Sequence, residues 1–371
     1  MKTVSILSLL PIVASAATLQ SRQSGAVVAG IDKLEPRIRT GAQRTLTKFG
    51  PYTLRGSKGG AAGGHGEGHS MGGMGGDSTL AGQTYMLNIA KGFCNSAGPC
   101  TVLGGQVGVM FTDGVKADPA KGVYIHHVLT ADLTKQTTKF ISVCNNPTKP
   151  ASSISSFGVG TGFVGTGEDS GDGPYMYTSM NGTSNNGYHI EKGDKFLANV
   201  QLVNYNKEDK QVYITYDLEY MPGKVGGDTK GILISATQCG TQIKMSQTGP
   251  ATTTSGKFTF LEDGSIMTAR GHLHDGGVAV DVAINGKPVC TSKAGYGGAG
   301  SETEVNGKKY LAISSMSVCG GPIPVKKGDA LTMNILYDLV QHPLRESAGG
   351  HAATGVMGMV AMTFTKANQA M

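Results

Sequence analysis

Apolar residues along the chain fall into short runs that alternate with polar ones and are cut at close intervals by Gly, Pro, Asn and Asp. Runs at 106–112, 122–130, 139–143, 196–205 and 211–220 carry the near-two period of half-buried strands. A second set follows at 232–238, 257–261, 266–272, 278–284, 309–315, 330–339 and 356–365. No segment longer than about ten residues holds a helical period. The pattern predicts an all-β protein made of two tandem antiparallel β-sandwich domains of jelly-roll-like type.

The breaks in the pattern set the boundaries. Lys2, the apolar run at 4–13 and Ala14-Ser15-Ala16 read as a signal peptide over 1–16. Residues 17–79 form an N-terminal extension with one expected strand near 49–54 and a Gly/His/Met-rich tether that carries His65, His69, Met71 and Met74. The first sandwich is expected over 80–222, a linker over 223–231, the second sandwich over 232–366 and a tail over 367–371. The linker reading rests on the stretch Met221 to Gly231 (MPGKVGGDTKG), which is rich in glycine and without period.

Composition sharpens this picture. Charged residues are 16% and hydrophobic ones 39%, too little charge and too much apolar material for a disordered chain. The 57 glycines among 371 residues follow no collagen repeat, which fits many tight turns between strands. A net charge of +6 without a Lys/Arg stripe interleaved with aromatics gives no footprint for nucleic acid. After the signal no apolar run is long enough for a membrane span, so the mature chain is expected to be secreted and extracellular. Asn181-Gly182-Thr183 is a glycosylation acceptor in that setting.

Six cysteines behind an export signal, Cys94, Cys100, Cys144, Cys239, Cys290 and Cys319, are consistent with three disulfides. Fifteen connectivities are open to six cysteines. Cys94 with Cys100 would close a short loop and Cys290 with Cys319 would staple neighbouring strands, which leaves Cys144 with Cys239.

Phosphate-loop, dinucleotide, Gly-x-Ser-x-Gly and His-Glu-x-x-His signatures are all missing. The histidines carry the remaining chemical signal. There are nine, and four sit in two tight pairs, His126-His127 and His272-Leu273-His274, one in each expected domain. Spacing of two places His272 and His274 on one strand face, where two imidazoles suit copper, zinc, iron or nickel. Adjacent His126 and His127 point to opposite faces of a regular strand, and share an ion only where the strand ends or bends. Met357 and Met359, alternating late in the chain, add a thioether that favours Cu(I).

With these motifs in place, residues 80–366 resemble the copper type II, ascorbate-dependent monooxygenases, the family of peptidylglycine α-hydroxylating monooxygenase and dopamine β-monooxygenase. His126-His127-Val128 is similar to the family's His-His-Met, with valine for methionine. His272-Leu273-His274 is similar to its His-x-His, and Met357 stands in the place of its methionine ligand, with Met359 the fallback. The resemblance implies two copper sites: one at His126 and His127 that relays an electron, and one at His272, His274 and Met357 that activates dioxygen. In the family a third histidine completes the first site; Asn204 stands at that place here, so the site lacks that ligand and has at most the harder, weaker carboxamide oxygen of Asn204, and Gly358 replaces a family cysteine. The first site is therefore expected to hold copper more weakly, with His189 or the tether's His65 and His69 as other sources of a donor.

The function this implies is a secreted copper-dependent monooxygenase-like enzyme. Its partners would be dioxygen, a reductant such as ascorbate and a small or phenolic extracellular substrate. The alternative is an extracellular copper-binding or scavenging protein without hydroxylase turnover. Copper is the expected cofactor, one ion tight and a second weaker. The absence of tryptophan argues against a stacking platform for polysaccharide.

Overall fold

The computed structural model of the chain describes residues 25–56, 83–94, 98–118, 121–136, 140–142, 160–167, 173–204, 206–238, 240, 242–246, 248–297, 301–305, 308–344 and 356–367. The expected signal peptide, the tether with His65 and His69, Cys144 and Cys239 lie outside the described residues.

The first half supplies β1 (Val28–Leu34), β2 (Gln43–Leu54), β3 (Gln83–Ile89), β4 (Cys100–Phe111), β5 (Val123–Asp132), β6 (Thr161–Gly162), β7 (Thr166–Gly167), β8 (Tyr175–Met176), β9 (Asn186–Ile190), β10 (Phe196–Asn204) and β11 (Lys210–Pro222). The second supplies β12 (Gly227–Ser235), β13 (Gln242–Ile243), β14 (Pro250–Thr254), β15 (Phe258–Thr259), β16 (Gly264–Leu273), β17 (Gly277–Ile284), β18 (Lys287–Tyr296), β19 (Glu302–Val305), β20 (Lys308–Leu311), β21 (Ile313–Met316), β22 (Val318–Val325), β23 (Ala330–Asp338) and β24 (Val356–Lys366). The architecture is all-β, as the alternation predicts.

Two cores organise the strands. In the first half, the layer β1-β2-β11-β4 faces the layer β3-β10-β5, and Phe49, Val128, Val200 and Tyr216 pack between them. Phe93 sits against the rings of Phe49, Phe163, Phe196 and Tyr216 at centroid distances of 5.0–6.1 Å, the spacing aromatic pairs prefer. In the second half, β14-β23-β17-β18-β21 covers β24, β16 and β22 around Ile234, Leu273, Val280, Ile335 and Phe364.

Three details depart from the sequence pattern. Residues 28–54 give two strands where one is expected, because β2 pairs with β11 from Gln43↔Tyr220 to Leu54↔Lys210 and buries Phe49 and Leu54 completely. The expected linker is largely strand: only residues 223–226 separate β11 from β12. There Gly226 has φ 65°, and a Cβ would stand 1.9 Å from the Asn185 carbonyl oxygen, so glycine is demanded by the turn and not by mobility. β12 then pairs with β24 and with β9 and β6, which joins the halves, and buried Asn186 hydrogen-bonds Thr229 (2.6 Å) and the Tyr177 carbonyl (2.7 Å) at that joint.

Cys94 is bonded to Cys100 and Cys290 to Cys319. The second bridge does not staple neighbours: β18 belongs to one sheet and β22 to the facing one, so it crosses the second sandwich.

Candidate metal centres

The first histidine pair sits at a β-bulge. On β10, Gln201 is opposite His127 but Leu202 is opposite Ile125, so His126 is the extra residue. Val128 lies in the first core and Ile125 packs against it, three positions apart instead of two. Alternation is broken between them, and both imidazoles leave on the face away from that core. Their Nδ1 atoms lie 3.1 Å apart and the ring centroids 5.0 Å. His126 Nδ1 also lies 2.8 Å from Gln201 Oε1. Two residues along the same face of β10, Asn199 Oδ1 is buried without a hydrogen-bond partner among the described residues.

Asn204 is not brought to this pair. It stands opposite Val123, three positions beyond Gln201 on β10. Its amide nitrogen donates to the Leu54 and Glu208 carbonyls (3.1 and 2.9 Å), and its oxygen accepts from the Asn206 backbone and side-chain nitrogens (3.0 and 2.9 Å). The carboxamide is committed to holding the β10–β11 connection. His189 is also elsewhere: it pairs with Thr101 on β4, its backbone N–H donates to Asp228, and its ring nitrogen lies 3.4 Å from the Val225 carbonyl.

The second pair is built where the chain changes sheets. β16 ends at Leu273, and His274, Asp275, Gly276 and Gly277 make a turn closed by the Gly277 N–H on the His274 carbonyl (3.0 Å). Gly276 has φ 90°, which explains the Gly-Gly that follows the motif. The His272 and His274 rings lie 5.5 Å apart, nearly perpendicular. Met359 on β24 is directly opposite His272, so the two share a face. Leu273 faces Gly358 in the last pair of the β16–β24 register, and Met357 is the next residue on β24, where it pairs with Gln242 of β13. Gly358 points to the other side, where a Cβ would come within 2.7 Å of Ile243 and Ile335; core packing excludes a cysteine there.

Two tyrosines that sequence reasoning passed over fix this turn. The Tyr337 hydroxyl accepts from the His274 N–H (2.9 Å) and donates to the Met357 carbonyl (2.6 Å). The Tyr296 hydroxyl accepts from the Gly276 N–H (3.0 Å) and donates to the Gly277 carbonyl (2.8 Å), with the His342 ring stacked on its own at 3.7 Å. Gln201 opens the stretch Gln201 to Tyr205 that is similar to the family's Gln-Val-His-Tyr, but only the register places it beside His127.

The two pairs sense each other. Partial burial pushes the His127 imidazole down to about 3, helped by the neighbouring His126 and then by His272 from the other half. Its imidazole is therefore neutral at physiological pH, the form that binds metals. Among the described residues no three His, Cys, Asp or Glu side chains converge as a metal-binding group. A metal at either pair would need a donor of another type; Met359 stands across from His272, and Gln201 Oε1 beside His126.

No protein-family model matches the sequence. The chain is similar to the "Probable copper-dependent oxygenase M1" of Phoma sp. (strain ATCC 20986 / MF5453), with 23% identity over 252 residues, 66% of this chain and 58% of that protein. It is similar at 23% over 241 residues to the "Probable copper-dependent oxygenase clz3" of Cochliobolus lunatus, covering 62% of this chain and 69% of that protein. The chain thus spans just over half the length of the Phoma relative. Among solved structures, the mavirus major capsid protein aligns with a TM-score of 0.24 and 6% identity.

Proposed function

We propose that this protein is a secreted copper-dependent oxygenase whose dioxygen-activating copper is held by His272, His274 and Met357. The observation that carries the reading is the β16–β24 register, which sets Met359 opposite His272, together with the Tyr337 hydroxyl that joins the His274 and Met357 backbones. The similarity to two proteins named as copper-dependent oxygenases supports it.

The donor set fits copper: two borderline nitrogens and one soft sulfur favour the reduced ion, and three protein donors leave a position for substrate-side chemistry. Copper held there would supply redox chemistry toward dioxygen, with the two electrons needed for insertion of one oxygen atom into a C–H bond, the other leaving as water, drawn from an external reductant. The chain's own residues hold and orient. His272, on a strand end, and His274, on the turn, set the nitrogen positions, while Tyr337 ties the His274 and Met357 backbones to one hydroxyl and so limits how far the sulfur can drift from the imidazoles. A reductant such as ascorbate would supply electrons, with a small extracellular molecule as substrate. The His126–His127 pair would hold a second, weaker copper. Export by residues 1–16 and glycosylation at the exposed Asn181 belong to the same reading.

The test is metal analysis of the copper-loaded protein with oxygen uptake under ascorbate. One tight copper that is lost in His272→Ala, together with oxygen uptake that depends on it, is the expected result. Tight copper without uptake for any phenolic or small aliphatic substrate would favour a copper-binding protein instead.

A further inference from the structure

We infer that Gln201 is the third protein donor of the first copper site, binding through its side-chain oxygen beside His126 Nδ1 and His127 Nδ1. The inference rests on the reading of His126 and His127 as a copper site.

The register makes Gln201 the cross-strand partner of His127, and the bulge at His126 turns both rings to that same face. Three potential donors on two paired strands are thus brought together without help from any loop. Two donors held about 2.0–2.1 Å from one metal ion at angles of roughly 90–110° lie about 2.8–3.4 Å apart. The separations here, 3.1 Å for Nδ1 to Nδ1 and 2.8 Å for Nδ1 to Oε1, are close to the edges of such a polyhedron.

Hydrogen bonding alone accounts poorly for the same contacts. His126 Nδ1 carries either one proton or one lone pair. With a proton, it can point well at Gln201 Oε1 or at His127 Nδ1, but not at both. With a lone pair, it serves one donor and leaves the second contact unmatched. A cation among the three atoms is met by a lone pair from each. Copper would displace any proton between the nitrogens to the Nε2 positions, so both rings would coordinate as neutral imidazoles.

The arrangement also explains why this chain has no histidine at 204. The donor position is filled three residues earlier on β10, and residue 204 is free to serve as a structural amide.

The experiment uses the full-length chain with His272→Ala and His274→Ala, so that only the first site is read. Copper titration, Cu(II) electron paramagnetic resonance and X-ray absorption are measured with Gln201, Gln201→Ala and Gln201→Met. Gln201→Ala should weaken this copper at least tenfold and change its hyperfine splitting. Gln201→Met, close in shape and so able to fold even if alanine does not, should retain Cu(I) and add a copper–sulfur shell. Unchanged affinity and spectrum in Gln201→Ala, or copper in Gln201→Met without a sulfur shell, overturns the inference. His126→Ala in the same background separates the two levels: if copper survives it unchanged, the pair is no copper site and the failure lies in the underlying reading.

Discussion

His274 and Met357 are joined through one hydroxyl: that of Tyr337 accepts from the His274 N–H and donates to the Met357 carbonyl. Tyr337 is only 1% exposed, rooted in the second core on β23, so the two candidate ligands hang from a rigid point. Replacing it with phenylalanine keeps the packing but leaves the His274 N–H and the buried Met357 carbonyl unmatched, at a cost of about 1–3 kcal/mol for a buried group so stranded. Tyr337→Phe should therefore remain folded, with a lowered melting temperature, and bind Cu(I) less tightly with a disordered copper–sulfur distance by X-ray absorption. An intact sulfur shell in the folded variant would reduce Tyr337 to a packing residue.

The same bridge bears on which methionine matters. Met359 is directly across from His272, but Met357 shares the Tyr337 tether with His274. Met357→Ile is expected to weaken Cu(I) binding by far more than Cu(II) binding, because sulfur prefers the softer ion. Met359→Ile, which is 2% exposed in the wild type, should cost packing and leave the Cu(I)/Cu(II) preference in place. A reversed result assigns the ligand to Met359.

Much of this was legible in the sequence. Period-two alternation gave the strand content, because it depends on local geometry alone, whereas β16 ends at Leu273 and leaves His274 on the turn, where the spacing of two no longer fixes a face. Features set by pairing between distant strands were not legible. The bulge that turns His126 and His127 to one side exists only against Gln201 and Leu202. Tyr337 reaches His274 from β23, and the Cys290–Cys319 bridge spans two sheets that no local pattern distinguishes. Within the expected linker at 223–231, glycine serves a tight turn at 223–226 and the start of β12, a distinction that composition does not make.

Buried tyrosines set an alkaline limit. Loss of solvent raises the phenols of Tyr175, Tyr177, Tyr188 and Tyr216, with Asp132 and neighbouring phenols adding to it for Tyr177 and Tyr188. In the unfolded chain these groups release protons near pH 10, while the folded chain keeps them. Between those limits the native state binds more protons, so stability falls as pH rises above about 10. Tyrosinate absorbance for these four should appear together with loss of the circular dichroism of the fold. Their ionisation in a still-folded protein would contradict this burial.

Asn204 supplies the clearest contrast between a ligand and a structural amide. At 5% exposure it holds Leu54, Glu208 and Asn206 through four hydrogen bonds. Asn204→Ala strands the Leu54 carbonyl, whose hydrogen bond is buried, at a cost of about 1–3 kcal/mol, and removes the part-buried contacts to Glu208 and Asn206. Histidine, with one donor and one acceptor when neutral, cannot replace two donors and a twice-used acceptor. Both Asn204→Ala and Asn204→His should thus lower thermal stability while leaving the affinity of the weaker copper unchanged, because the side chain stands three residues from Gln201 and is turned to the β10–β11 connection. The paired measurement is a thermal melt and a copper titration on each variant. A folded Asn204→Ala protein that loses the weaker copper, or an Asn204→His protein that binds it more tightly, would return position 204 to the ligand set and displace the structural role argued for it.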